Sequence, residues 1–83
     1  MYRIFFVNHG YYHESSYATA LEALEAAKGF HFDAAIMRGE GDAEALVAGW
    51  SVFGGIKFYD ESERATFHAI RIAEGRRLRK ESA

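Results

Sequence analysis

Hydrophobic positions in residues 2–8 fall on both sides of an extended chain: Tyr2, Ile4 and Phe6 on one, Phe5 and Val7 on the other. A strand apolar on both faces belongs at the centre of its sheet or beneath a second covering layer. Asn8-His9-Gly10 ends it. The pattern then changes to helical spacing. Tyr17, Ala20, Leu21, Leu24 and Ala27 recur at three- and four-residue steps and predict one buried stripe, with Glu22 and Glu25 facing water. Ser15 or Ser16 is the expected N-cap and Gly29 the expected C′ residue, with Phe30 folding back on Leu24.

Residues 31–38 alternate again, with Phe32, Ala34 and Ile36 against Asp33, Ala35 and Met37. Gly39-Glu40-Gly41-Asp42 predicts a hairpin turn, and residues 44–52 a returning strand with Leu46, Ala48 and Trp50 on one face. Gly54-Gly55 interrupts, and Ile56–Tyr59 adds a short fourth strand. Phosphate-binding glycine pairs precede a helix, whereas these precede a strand, so a bend or bulge is the expectation. Asp60, with Glu63 three residues on, predicts a capped second helix over 61–74 or on to 80.

The order is therefore β-α-β-β-(β)-α, a small α+β domain. One helical connection makes the second strand parallel to the first, and the hairpin makes the third antiparallel to both. The expectation is a three- or four-stranded mixed sheet, with the third strand between the other two. One helix packs on a face and a C-terminal helix follows. The predicted core is Ile4, Phe6, Tyr17, Leu21, Leu24, Phe32, Ile36, Leu46, Ala48 and Trp50.

Composition adds three points. A chain of 83 residues makes a single domain, 1–83, with a thin core. Its 49% apolar and 16% aromatic content exceeds what so small a core absorbs, so a homodimer is expected to bury the surplus. Without cysteine there are no disulfides or thiolate metal sites, and the first apolar run is too short for a signal peptide or membrane span. A cytoplasmic protein that does not enter the membrane is the expectation.

Charge adds a candidate partner. The net charge is −2, but residues 1–60 hold four basic against eight acidic side chains, and residues 61–83 six against four. The basic segment, 61–83, carries Arg64, Arg71, Arg76, Arg77, Arg79 and Lys80. Arg64, His68, Arg71, Gly75 and Arg79 share one helical stripe, which could meet nucleic-acid phosphates. The competing account is a solvated face whose cations complement the helix C-terminus and neighbouring glutamates.

A second cluster, Asn8-His9-Gly10-Tyr11-Tyr12-His13-Glu14, places two imidazoles, two phenols and a carboxylate between a strand end and a helix start. Connections of this kind commonly carry binding residues. Zinc needs three or four convergent ligands, and Gly10 disfavours the helix that would bring His9 and His13 together, so no metal is expected. Either histidine could serve as a general acid or base, but no nucleophile with a paired base accompanies them. His9, Tyr11, Tyr12 and His13 are therefore expected to form a contact loop, in a protein with no catalytic residues and no cofactor.

Ile4-Phe5-Phe6-Val7-Asn8 and Lys28-Gly29-Phe30-His31-Phe32 each resemble half of the aromatic signature of RNA-recognition motifs. That resemblance implies two adjacent strands whose exposed aromatics stack bases. The order departs from the family: Lys28-Gly29 closes the first helix, and no strand follows the second helix. Asn8–Tyr12, the Ala/Leu helix ending Lys28-Gly29-Phe30, and Leu46–Ser51 are together similar to short uncharacterised bacterial and mobile-element proteins. This resemblance spans residues 2–59 and implies no activity. The favoured function is a small non-enzymatic binding or adaptor module acting through protein–protein contacts. Nucleic-acid binding through the C-terminal helix is the alternative.

Overall fold

The structure, a computed structural model, describes the backbone of residues 1–82 and the side chains of residues 1–76. Five strands, β1 (Tyr2–Phe6), β2 (Tyr11–Tyr17), β3 (Ala34–Arg38), β4 (Ala45–Ser51) and β5 (Gly55–Phe58), join two helices, α1 (Ala20–Phe30) and α2 (Glu61–Ser82). The fold is α+β, with α1 on one face of the sheet and α2 at the C-terminal end. The strand order is β2-β1-β3-β4-β5, and every neighbouring pair is antiparallel.

The sheet thus has five strands rather than three or four, and is antiparallel rather than mixed. One missed element explains both differences. Residues 11–17, expected as a loop and helix cap, form an edge strand. The chain reverses at Asn8-His9-Gly10, where the N–H groups of His9 and Gly10 both donate to the Phe6 carbonyl, at 3.1 and 2.8 Å. Gly10 takes φ +73°, which a side chain would resist. That extra reversal flips the direction of every later strand. β3 therefore runs antiparallel to β1, and it is β3 that lies between β1 and β4.

The caps shift accordingly. Ser15 and Ser16 lie within β2, and Thr19 caps α1 by accepting the Glu22 N–H at 3.1 Å. Glu22 reaches back to the Ala18 N–H, at 3.2 Å, in a near capping-box arrangement. Gly29 is helical rather than C′. His31 takes the left-handed position at φ 58°, its N–H donating to the Lys28 carbonyl. Asp60 caps α2 as expected, accepting the Glu63 N–H at 3.0 Å and the Ser62 hydroxyl at 2.6 Å.

The core lies between the sheet and the helices. Ile4, Leu24, Ile36 and Val47 are its largest fully buried side chains, joined by Phe6, Ala48 and Phe67. Tyr17, Leu21 and Trp50 pack at its margin, half-buried. Two predicted core residues are exposed. Phe32 precedes β3 rather than belonging to it. Leu46 sits on the opposite face because Ile36 pairs with Ala48 while Met37 pairs with Leu46, leaving Val47 as an extra residue. A bulge of this kind puts consecutive residues inward, so Val47 and Ala48 are both buried and Leu46 is turned out of phase.

Among the described residues, the buried contacts of α2 come from its first turns. Glu63, Phe67 and Ile70, at four- and three-residue steps, face the body, and the Phe67 ring lies 5.0 Å from Phe58. Glu63 is buried and accepts hydrogen bonds from the Tyr2 hydroxyl and the Arg38 guanidinium, both at 2.7 Å. The Arg38 guanidinium also lies 3.5 Å from Asp60. A helix of 22 residues runs about 33 Å. Its remaining length carries the molecule to 46 Å on its longest axis, against 26 and 22 Å on the others.

Candidate functional site

Both helices sit on the same side of the sheet, so among the described residues no element covers the other side. Register defines two rows of neighbours there. Tyr12, Phe5, Ala35, Gly49 and Lys57 form one, and Ser16, Arg3, Met37 and Leu46 the other. Val7 and Tyr59 flank them, and Val7, Leu46 and Tyr59 are each about half exposed, at 53, 45 and 55%. The face is therefore largely apolar and aromatic, with its charges at two margins. An exposed apolar patch of this kind is a candidate interaction surface.

At one margin the aromatics are held by charge. The Phe5 and Tyr12 rings lie 5.0 Å apart, with the Arg3 guanidinium 4.0 Å over Tyr12. Arg3 also pairs with Glu44 at 3.6 Å, and the Tyr12 hydroxyl donates to the same carboxylate. That hydrogen bond, with some loss of hydration, raises the Tyr12 phenol above its ordinary pKa. Burial first, then the Glu63 carboxylate, does the same for Tyr2 on the helix side.

At the other margin, Val7, Asp33, Gly49, Gly54, Gly55, Lys57 and Tyr59 surround a depression of about 280 Å³. Gly49 forms its floor: a Cβ there would lie 3.4 Å from the Ala34 carbonyl oxygen and 3.7 Å from the Tyr59 ring. Asp33 braces the adjoining hairpin by accepting from the Val52 N–H at 3.0 Å, and the Lys57 ammonium sits 5.2 Å from the Tyr59 ring centroid. Ser51 pairs with Gly55, so Val52-Phe53-Gly54 is a three-residue loop with Phe53 at its apex, 100% exposed. Sequence reasoning passed over Phe53. Its signal was a bulky aromatic immediately before Gly54-Gly55, where a tight turn cannot bury it.

The predicted contact loop is a turn and a strand, and the sheet divides it. His9 lies in the turn, and Tyr11 and His13 meet Phe6 on the helix side, at 5.4 and 5.9 Å between ring centroids. Phe30 and Phe32 join the same cluster around Phe6, at 5.3 and 5.9 Å, and His9 lies 4.6 Å from Phe32. Tyr12 points to the uncovered face instead. Alternation along β2 separates them. The two aromatic segments compared with RNA-recognition motifs therefore do not form adjacent exposed strands: Lys28–Phe30 ends α1, and Phe30 and Phe32 both turn toward Phe6. Among the described residues no group of three or more acidic or histidine side chains converges as a metal site would require.

Of the basic set on α2, Arg64, Arg71 and Arg76 are exposed. Arg64 lies 3.7 Å from Glu61, and the Arg71 guanidinium lies 5.6 Å from the Phe67 ring centroid. Arg77, Arg79 and Lys80 lie outside the described residues, as to their side chains. No helix among the described residues is long and apolar enough to cross a membrane. No family model, curated protein or solved structure matches the chain.

Proposed function

We propose that this chain is a small non-enzymatic binding or adaptor module that acts through protein–protein contacts and assembles as a homodimer through its uncovered sheet face. One observation carries the reading: all helical cover lies on one side, while Phe5, Val7, Tyr12, Met37, Leu46 and Tyr59 stand on or beside the other. Leaving that face in water forfeits about 25 cal/mol for each Å² of apolar area. Packing two such faces together, about 10 Å apart, gives a sheet-on-sheet core with the helices outside. Lacking cysteine, the chain needs no oxidising compartment, and the cytoplasm is its proposed location.

Light scattering after size exclusion tests the reading, on the parent chain and on Leu46→Glu. Dimer mass for the parent and monomer mass for a folded variant are expected. A parent that stays monomeric at every concentration would sink the proposal. A second reading, nucleic-acid binding, draws on α2 extending past the sheet with Arg71 and Arg76 exposed. It requires salt-dependent binding to short DNA or RNA, with the salt slope falling by about one unit for each phosphate contact removed by substitution.

A further inference from the structure

We infer that Phe53 of one protomer seats in the Gly49-floored depression of a second copy, and that the reverse contact forms with it. The inference rests on the dimer reading above and specifies how the dimer is locked.

A phenyl ring left wholly in water at a rigid hairpin apex forfeits the burial a Phe normally gains, and Phe53 is the most exposed large hydrophobic side chain described. The loop that carries it is braced rather than loose. Asp33 holds the Val52 N–H at 3.0 Å, and the Ser51 hydroxyl accepts from the Gly54 N–H at 3.3 Å. A preorganised aromatic costs little to immobilise, and anchors of this type dominate interface energetics.

The receiving site lies beside the same hairpin. Its volume of about 280 Å³ exceeds the ~150 Å³ known to hold a benzene ring in an apolar cavity. Gly49, Gly54 and Gly55 contribute no side chains, so the space between Val7 and Tyr59 stays open. An aromatic occupant fits this lining, and a second copy supplies one. Projection and depression both belong to the β4–β5 hairpin end of the sheet, so a twofold axis near that hairpin would bring each Phe53 to the other protomer's depression. That is the self-complementarity an isologous interface demands. Val52-Phe53-Gly54 carries no charge, so it meets the Lys57 and Asp33 rim without like-charge repulsion.

Area points the same way. Five strands spaced about 4.8 Å apart and about five residues long present roughly 400 Å² in projection. A standard interface takes ~800 Å² from each partner. The flat face offers part of that area, and the hairpin apices add to it.

The test mixes ¹³C-labelled and unlabelled full-length chain and looks for intermolecular NOEs, with sedimentation equilibrium on Phe53→Ser alongside. NOEs between the Phe53 ring and Val7 or Tyr59 are expected. The dimer Kd should rise at least ~100-fold in the variant, because two rings are lost at ~10-fold or more each. A dimer that gives no such NOEs, or whose Kd is unchanged by Phe53→Ser, overturns the inference and leaves the sheet-face dimer standing. A parent chain that never dimerises overturns both.

Discussion

Removing the Phe67 ring tests how α2 is held. Phe67 is 4% exposed and stands midway along the short stripe, Glu63–Phe67–Ile70, through which α2 meets the body. Its ring packs against Phe58 at 5.0 Å, and the Arg71 guanidinium approaches it from the helix side. Phe-to-Ala changes in cores cost about 3–5 kcal/mol, the lost transfer energy plus the cavity left behind. The lower end applies here, about 3 kcal/mol, because one side of the site is a helix able to settle inward. An 83-residue domain has roughly 4–12 kcal/mol in total. Phe67→Ala therefore removes a quarter or more of the stability. With a urea m-value of about 1 kcal/mol per M, the midpoint falls by about 3 M. Two probes read the transition: far-UV circular dichroism follows the helices, and Trp50 on β4 follows the sheet. Coincident, down-shifted transitions are expected, since Phe67 belongs to the same buried cluster as Ile4 and Leu24. A loss below 1 kcal/mol would refute the claim that this ring anchors the helix. A helix transition that separates from an unshifted sheet transition would instead refute the single cooperative core.

Three further outcomes follow from the local geometry. Thr19→Ala should cost about 1 kcal/mol in urea unfolding, while Ser15→Ala and Ser16→Ala should stay within about 0.5 kcal/mol, because Thr19 alone caps α1. His31→Gly should stabilise by up to about 1 kcal/mol by relieving a left-handed backbone at φ 58°, which thermal melts would detect. The Ser62 hydroxyl, then the Glu63 N–H and the Arg38 guanidinium, hold the Asp60 carboxyl below its usual range. A depressed folded pKa contributes stability above the unfolded-state value of about 3.9 and loses it as pH falls through the folded value. Asp60→Asn, which keeps a capping side chain, should flatten the acid limb of a stability–pH profile; an unchanged limb would remove Asp60 from the account.

The α+β class, the two helices, the β3–β4 hairpin and much of the core were legible because periodicity records burial directly. Leu24, Ile36 and Ala48 are buried as their spacing requires. β2 was not legible because Tyr11-Tyr12-His13-Glu14-Ser15-Ser16-Tyr17 is an edge strand, exposed along much of its length, with polar residues that also suit loops and caps. Two extra residues on β2 further blur its alternation: Arg3 and Phe5 are two apart, whereas their partners Ser16 and Tyr12 are four apart. Leu46 failed for a related reason, since a single bulge at Val47 inverts the phase of a strand with nothing in composition to mark it. The candidate face was half visible. Phe5 and Val7 announced a second apolar side to β1, but Met37, Leu46 and Tyr59 join them only once the register is known.

The uncovered face follows from the connections. After β1 and β2 the chain has one helix before β3, and α1 is spent covering β1 to β4 on the side where Ile4, Phe6, Ile36 and Ala48 point. α2 could in principle have shielded the other side. It cannot, because only Tyr59 and Asp60 separate β5 from α2. The Tyr59 N–H is tied to the Val47 carbonyl at 2.9 Å, and Asp60 and Glu63 are drawn to Arg38 on the helix side. The short connection and that carboxylate–guanidinium cluster set the helix on the side already covered. The open face is thus a consequence of topology. Phe5, Met37 and Leu46 stand on that open face beside Arg3 and Lys57, and they are the side chains that the proposed dimer would cover.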